Sequence, residues 1–162
     1  MLIFKTEGFA ELDQQLTELV QDIQSPSEFK SFKKVISMSI RNALKPLEQD
    51  LKTRAPFDAE HNTSGIHLRE TTRIDTRIPT AQDKKSVMIN ESDSYIGLLS
   101  VKKSAVSLSQ EFGNAKTTPQ PFLRISLESN IRNVLDILKS ELSFILPAYA
   151  KKLERKYRKR TK

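Results

Sequence analysis

Between Leu123 and Tyr149 apolar side chains recur at Leu123, Leu127, Ile131, Val134, Leu138, Leu142, Ile145 and Tyr149, spaced by four, four, three, four, four, three and four residues. A repeat this close to seven places a single apolar seam along one long helix. A seam of that kind is buried either in a long groove of its own chain or against another chain, and the spacing leaves both open. Pro147 lies inside the pattern and is expected to interrupt it, because proline removes a backbone donor and clashes with the preceding turn.

Two shorter helices are expected upstream. Phe9, Leu12, Leu16, Leu19, Val20 and Ile23 form one apolar stripe,. Ser25-Pro26-Ser27 breaks it, with Ser27 as the N-cap of the next helix. Phe29, Phe32, Val35, Ile36, Ile40, Ala43, Leu44, Leu47 and Leu51 then spread over a broad face, Pro46 is expected to kink the helix, and Ala55-Pro56 ends it,. A short polar link predicts that the two helices pack as an antiparallel hairpin.

Residues 57–66 read as a polar loop. From Leu68 to Ile78 the period changes to two: Leu68, Thr72, Ile74, Thr76 and Ile78 face one way, Arg69, Thr71, Arg73, Asp75 and Arg77 the other,. Pro79 to Lys85 is a loop, Ser86–Asn90 and Tyr95–Val101 are further strands, and residues 104–112 suit a short helix. The expected fold is α+β: an antiparallel sheet of three to four strands packed with an N-terminal helical hairpin and a long C-terminal helix.

A chain of 162 residues fits one domain with a modest core, here residues 1–150, followed by a basic tail, 151–162,. There is no cysteine, so disulfides and cysteine-held zinc are excluded,. The opening MLIFKTEGF has neither the charged nor the apolar region of a signal peptide, and no apolar run approaches the ~20 residues that span a bilayer,. The lack of cysteine fits a reducing cytoplasm, and no membrane partner is expected,.

The charge is unevenly placed. Lys151, Lys152, Arg155, Lys156, Arg158, Lys159, Arg160 and Lys162 stand against Glu154 alone, so the tail carries the entire formal charge of +7 and the body is neutral. Three readings follow: phosphate contact through counterion release, docking on an acidic protein surface, or a solvated terminus. Tyr157 within the run is compatible with base stacking. Arg69, Arg73 and Arg77 would line one strand face, open to passing DNA or balanced by Asp75 as an ordinary solvent face. His61 and His67, near Asp58, Glu60 and Glu70, match no recognised metal spacing,. No nucleophile elbow, phosphate loop or metalloprotease helix occurs. Neither a cofactor nor an enzymatic activity is expected.

The stretch EFGNAKTTPQPFLR, Glu111 to Arg124, reads as a shaped corner between two packed elements. Gly113 admits a positive φ where an element stops, Gln120 is biased to extended backbone by the proline after it, and Pro121 suits a helix start. As a purely structural corner it would bury Phe112 and Phe122 and pair Glu111 with Arg124. As an interface it would present Glu111, Phe112, Pro121, Phe122 and Arg124, with Leu138 and Leu142 of the seam completing a subunit contact.

The corner, together with Gly8-Phe9-x-Glu11-Leu12, Arg54-Ala55-Pro56 and Ser64-Gly65…Leu68-Arg69-Glu70-Thr71 in this order, resembles the neck or tail-completion proteins of long-tailed, lambdoid-type phages. One more residue before Leu68 and a longer, more basic C-terminal run depart from that pattern. The resemblance implies a virion protein of the head–tail junction. It would assemble as a ring, hexameric or dodecameric, with itself and with head-connector and tail proteins, around a lumen through which DNA passes. A tail terminator that caps tube polymerisation is the alternative within the virion. A DNA-binding protein acting through its basic tail is the alternative outside it.

Overall fold

Ser25 sets the frame by accepting the N–H of Glu28 on its hydroxyl at 3.4 Å, with Pro26 as the first helical residue. The cap is Ser25 rather than the expected Ser27, because a proline at the first position loses no hydrogen bond and has its φ already set. The computed structural model describes residues 9–23, 25–57, 67–86 and 95–160. In chain order these form α1 (Phe9–Gln21), α2 (Pro26–Arg54), a single 3-10 turn (Leu68–Thr71), β1 (Arg73–Arg77), α3 (Ala81–Ser86), β2 (Ile96–Ser100), α4 (Ala105–Phe112) and α5 (Phe122–Arg160).

α2 and α5 are the two long elements, 29 and 39 residues, or roughly 43 and 58 Å at 1.5 Å per residue. They lie antiparallel. Glu28 meets Lys156, Asn42 meets Glu141, and Asp50 meets Asn130 at 2.9 Å. Both helices run through a proline, Pro46 and Pro147. The expected interruption at Pro147 does not occur. Leu146, Tyr149 and Leu153 are all buried around it, and burying three large side chains at about 1.5–3 kcal/mol each outweighs a proline cost of about 3 kcal/mol.

One end of the α2–α5 pair buries Leu12, Leu19, Phe32, Leu142, Leu146, Tyr149 and Leu153, with the Phe32 and Tyr149 rings 5.4 Å apart. α1 contributes its stripe here, and its backbone runs mainly beside α5 rather than α2. The expected α1–α2 hairpin is therefore a three-helix arrangement in which α1 leans on α5. The middle buries Ala43, Leu47 and Val134, and the far end buries Leu51, Ala55 and Phe122. Leu142 is core, and Leu138 packs half-buried against the first two clusters. The seam's central residues are thus taken up by the chain's own α1 and α2, Leu142 fully and Leu138 in part.

The sheet has two strands among the described residues, β1 and β2, antiparallel with Ile74 opposite Leu99 and Thr76 opposite Gly97. These two pairs face α2. The Thr76 and Ser37 hydroxyls bond at 2.5 Å, and an added Cβ at Gly97 would press into Ile40 and Leu44. The alternation expected from Leu68 starts only at Arg73, since Leu68–Thr71 coils into a 3-10 turn closed by Thr71 Oγ1 to the Leu68 carbonyl at 2.8 Å. The expected loop 79–85 contains α3. Thr80 and Asp83 cap it reciprocally, the Thr80 N–H donating to Asp83 Oδ2 at 2.8 Å, a box legible in sequence as Thr-x-x-Asp. Of the expected strand Ser86–Asn90, Ser86 ends α3 and the rest lies outside the described residues. The fold is α+β, mostly helical with a small antiparallel sheet.

Leu146 is 2% exposed beside Pro147. Leu146→Ala is expected to cost about 2–5 kcal/mol in urea unfolding. Gly97→Ala is expected to cost about 1–3 kcal/mol by pushing β2 off α2. A neutral result for either would contradict the packing described.

Candidate interaction surfaces

α4 starts at Ser104, whose hydroxyl accepts the Ser107 N–H at 3.0 Å while Ser107 Oγ accepts the Ser104 N–H at 2.8 Å. It stops at Gly113, φ +75°, whose N–H reaches the Ser109 carbonyl at 2.8 Å. A side chain there would strain the backbone and press on the Pro119 ring at 2.9 Å,. The loop then folds back. Asn114 and Thr117 bridge, Lys116 N–H donates to Asn114 Oδ1 at 2.8 Å, and Gln120 N–H donates to the Gln110 carbonyl at 2.6 Å.

Glu111, 8% exposed, reaches across this corner to the start of α5. Its Oε2 accepts the Leu123 N–H at 2.9 Å and its Oε1 the Arg124 N–H at 3.1 Å. These are two of the donors a helix leaves unpaired at its first turn, and the helix dipole favours an anion there. The expected Glu111–Arg124 ion pair is therefore a contact with the Arg124 backbone. The guanidinium is exposed and lies 3.9 Å from Glu128.

The cap fixes the rotation of α4. Ser107 and Glu111, one turn apart on the same face, are buried, while Val106, Leu108 and Phe112 are 61%, 42% and 76% exposed,. α4 hides its polar residues and shows its apolar ones. Phe122 is buried as expected for a structural corner, but Phe112 is not. Ile125 and Leu127 on the first turns of α5 are exposed as well, so the seam is interrupted at Leu127, between Leu123, which packs on the Phe122 cluster, and the half-buried Ile131.

At the other end, residues 151–160 are not a separate tail but the last turns of α5. Leu153 is buried there. The Lys156 ammonium pairs with the Glu28 carboxylate, and Tyr157 Oη lies 2.7 Å from Glu28 Oε2 and 2.9 Å from the Asp22 carbonyl. Tyr149 Oη donates to the Glu28 carbonyl at 2.8 Å. Lys156 and the Tyr157 hydroxyl hold the Glu28 carboxyl down to about 2, and burial near that carboxylate pushes the Tyr149 phenol up. Tyr157, whose place in the run is compatible with base stacking, is half-buried with its hydroxyl turned inward. Lys151, Lys152, Arg155, Arg158 and Lys159 remain exposed, and none forms an ion pair among the described residues.

The three strand arginines do not form one free row. Arg69 lies in the 3-10 turn, its guanidinium stacked 3.8 Å over the Phe57 ring. Arg77 is bidentate to Asp83 at 2.9 and 3.2 Å, which raises its pKa and holds the Asp83 carboxyl well below the usual carboxylate range. Arg73 is exposed on β1. No group of three His, Asp or Glu side chains among the described residues is placed to hold a metal ion, and His61 with its acidic neighbours Asp58 and Glu60 lies outside them. No helix of the described residues is long and apolar enough to cross a membrane. Comparison with protein-family models, with curated proteins and with solved structures finds no match.

Glu28 titrates lower folded than unfolded, so its contribution is complete above about pH 4.5 and fades as pH falls towards about 2,. The stability difference between wild type and Glu28→Gln should shrink over that window in denaturant titrations at stepped pH. A difference independent of pH would break the assignment. Glu111→Ala is expected to cost about 1 kcal/mol through the lost cap, read from thermal unfolding.

Proposed function

We propose that this chain is a non-enzymatic structural protein of the head–tail junction of a long-tailed phage, a neck or tail-completion component that assembles as a ring. The carrying observation is the inverted face of α4: an eight-residue helix whose buried side chains are polar and whose Val106, Leu108 and Phe112 face solvent. Singly exposed apolar residues are ordinary, but a helix capped so that its whole apolar complement points outward is suited to a partner.

The segment that carries the resemblance is also the segment that builds this face. Glu111 caps α5, Gly113 ends α4 at positive φ, and Pro121 leads into the buried Phe122. In the proposed ring the α4 face of one copy seats on a different patch of the next, a head-to-tail contact that closes after a fixed number of copies, six or twelve. Neighbouring head-connector and tail proteins would stack above and below, placing the protein in the virion.

Phe112→Asp is expected to leave unfolding within about 0.5 kcal/mol of wild type, since the side chain is exposed, while abolishing recovery of infectious particles when supplied to a phage lacking the gene. Electron microscopy of that deletion lysate should show filled heads beside separate tails of normal length. Tails of uncontrolled length would instead identify a terminator. Intact infectious particles would remove the protein from virion assembly.

A further inference from the structure

α5 sorts the basic C-terminal residues by direction. Leu153 and Tyr157, four apart, turn inward, and Lys156 is held by the Glu28 carboxylate. At 100° per residue Lys151, Arg155 and Lys159 fall on the opposite side at successive steps of four, flanked by Lys152 and Arg158. All five are exposed. Lys152 alone has a described electrostatic contact, 5.8 Å over the Tyr149 ring. The result is a rod edge about 12 Å long bearing five cations at fixed spacing.

We infer that this edge binds the phosphodiester backbone of duplex nucleic acid without reading its sequence. A duplex carries one negative charge per about 1.7 Å of axis counting both strands, so about seven phosphates lie within a 12 Å length of it, enough to engage five cations. An acidic protein surface fits less well. Protein interfaces are anchored by apolar and aromatic side chains in a core depleted of lysine, and this edge has no such anchor because Tyr157 and Leu153 are turned away. The same absence removes base stacking and leaves charge as the sole source of affinity. Nor do these turns need partner-bound order: they are already helical, so binding carries little ordering cost.

The inference does not rest on the junction reading, since it is measured on the purified chain. Fluorescence anisotropy of a short labelled duplex is followed between about 50 and 200 mM salt. Wild type is expected to show a log–log slope of about −4 to −5, equal for two unrelated sequences. Combined Lys151→Gln, Arg155→Gln and Lys159→Gln should lower the slope to about −2 and weaken binding roughly 10- to 100-fold at the lowest salt. A charge-matched control, Lys116→Gln with Arg132→Gln and Lys139→Gln, should keep the wild-type slope. Circular dichroism melts confirm that both triple variants fold. Salt-independent binding, no binding at the lowest salt, or equal loss in the control would overturn the assignment. So would displacement by polyglutamate as effective as by unlabelled duplex, which would transfer the edge to an acidic protein partner.

Discussion

The antiparallel contact between α2 and α5 is the constraint on which everything else depends. Neither helix would be stable alone over its full length, each being crossed by a proline that removes a donor,. Packed together they bury the three clusters of the core, and α1, the 3-10 turn, β1, β2 and α4 each attach to one section of the pair, while α3 is tied to β1 through Arg77 and Asp83. α1 closes the end around Leu146 and Tyr149, β1 and β2 lie on α2 at the middle, and α4 sits at the start of α5.

Apolar packing alone tolerates sliding, whereas two carboxylates hold the two ends of α5, Glu28 from α2 and Glu111 from α4. Glu28, 4% exposed, is met by an ammonium and a phenol from the last turns of α5. Glu111 is met by two backbone amides of its first turn. Each is buried with its partners in place, the condition under which a buried charge can specify geometry rather than merely cost energy. A shift of α5 by one turn would leave both without those partners.

Much of this was legible in the residues. Spacings of three and four located α1, α2 and the body of α5, and the period of two located β1. Local rules failed where long-range packing outweighed them. Pro147 reads as a stop because its cost is local, whereas the burial of Leu153 and Tyr157 that carries the helix past it depends on α1 and α2. In sequence the strand reads too long because Leu68 and Thr72 continue the alternation, yet Leu68 packs against the Phe122 cluster from a 3-10 turn. Glu111 suggests the Arg124 side chain as its partner in the corner reading, since sequence shows side-chain charges and not the backbone donors at a helix start. Phe112 and Phe122 look equivalent beside the same corner, and only the capped orientation of α4 separates them. The basic run was visible as charge. That Lys156 is already committed to Glu28 depends on a residue far away in the chain, whereas Arg77 is taken by Asp83 just beyond the end of its strand.

The unbroken course of α5 also fixes a distance. From Phe122, beside the apolar face of α4, to Arg155 in the basic edge the axis runs about 50 Å,. No small ligand spans that gap, so the two surfaces act as separate ends of one strut, and occupying one does not obstruct the other. If copies are held at their apolar ends, their basic ends are arrayed at a repeat set by the helix rather than by a flexible linker. Contacts that are weak in a single chain would then add as avidity along a long polyanion.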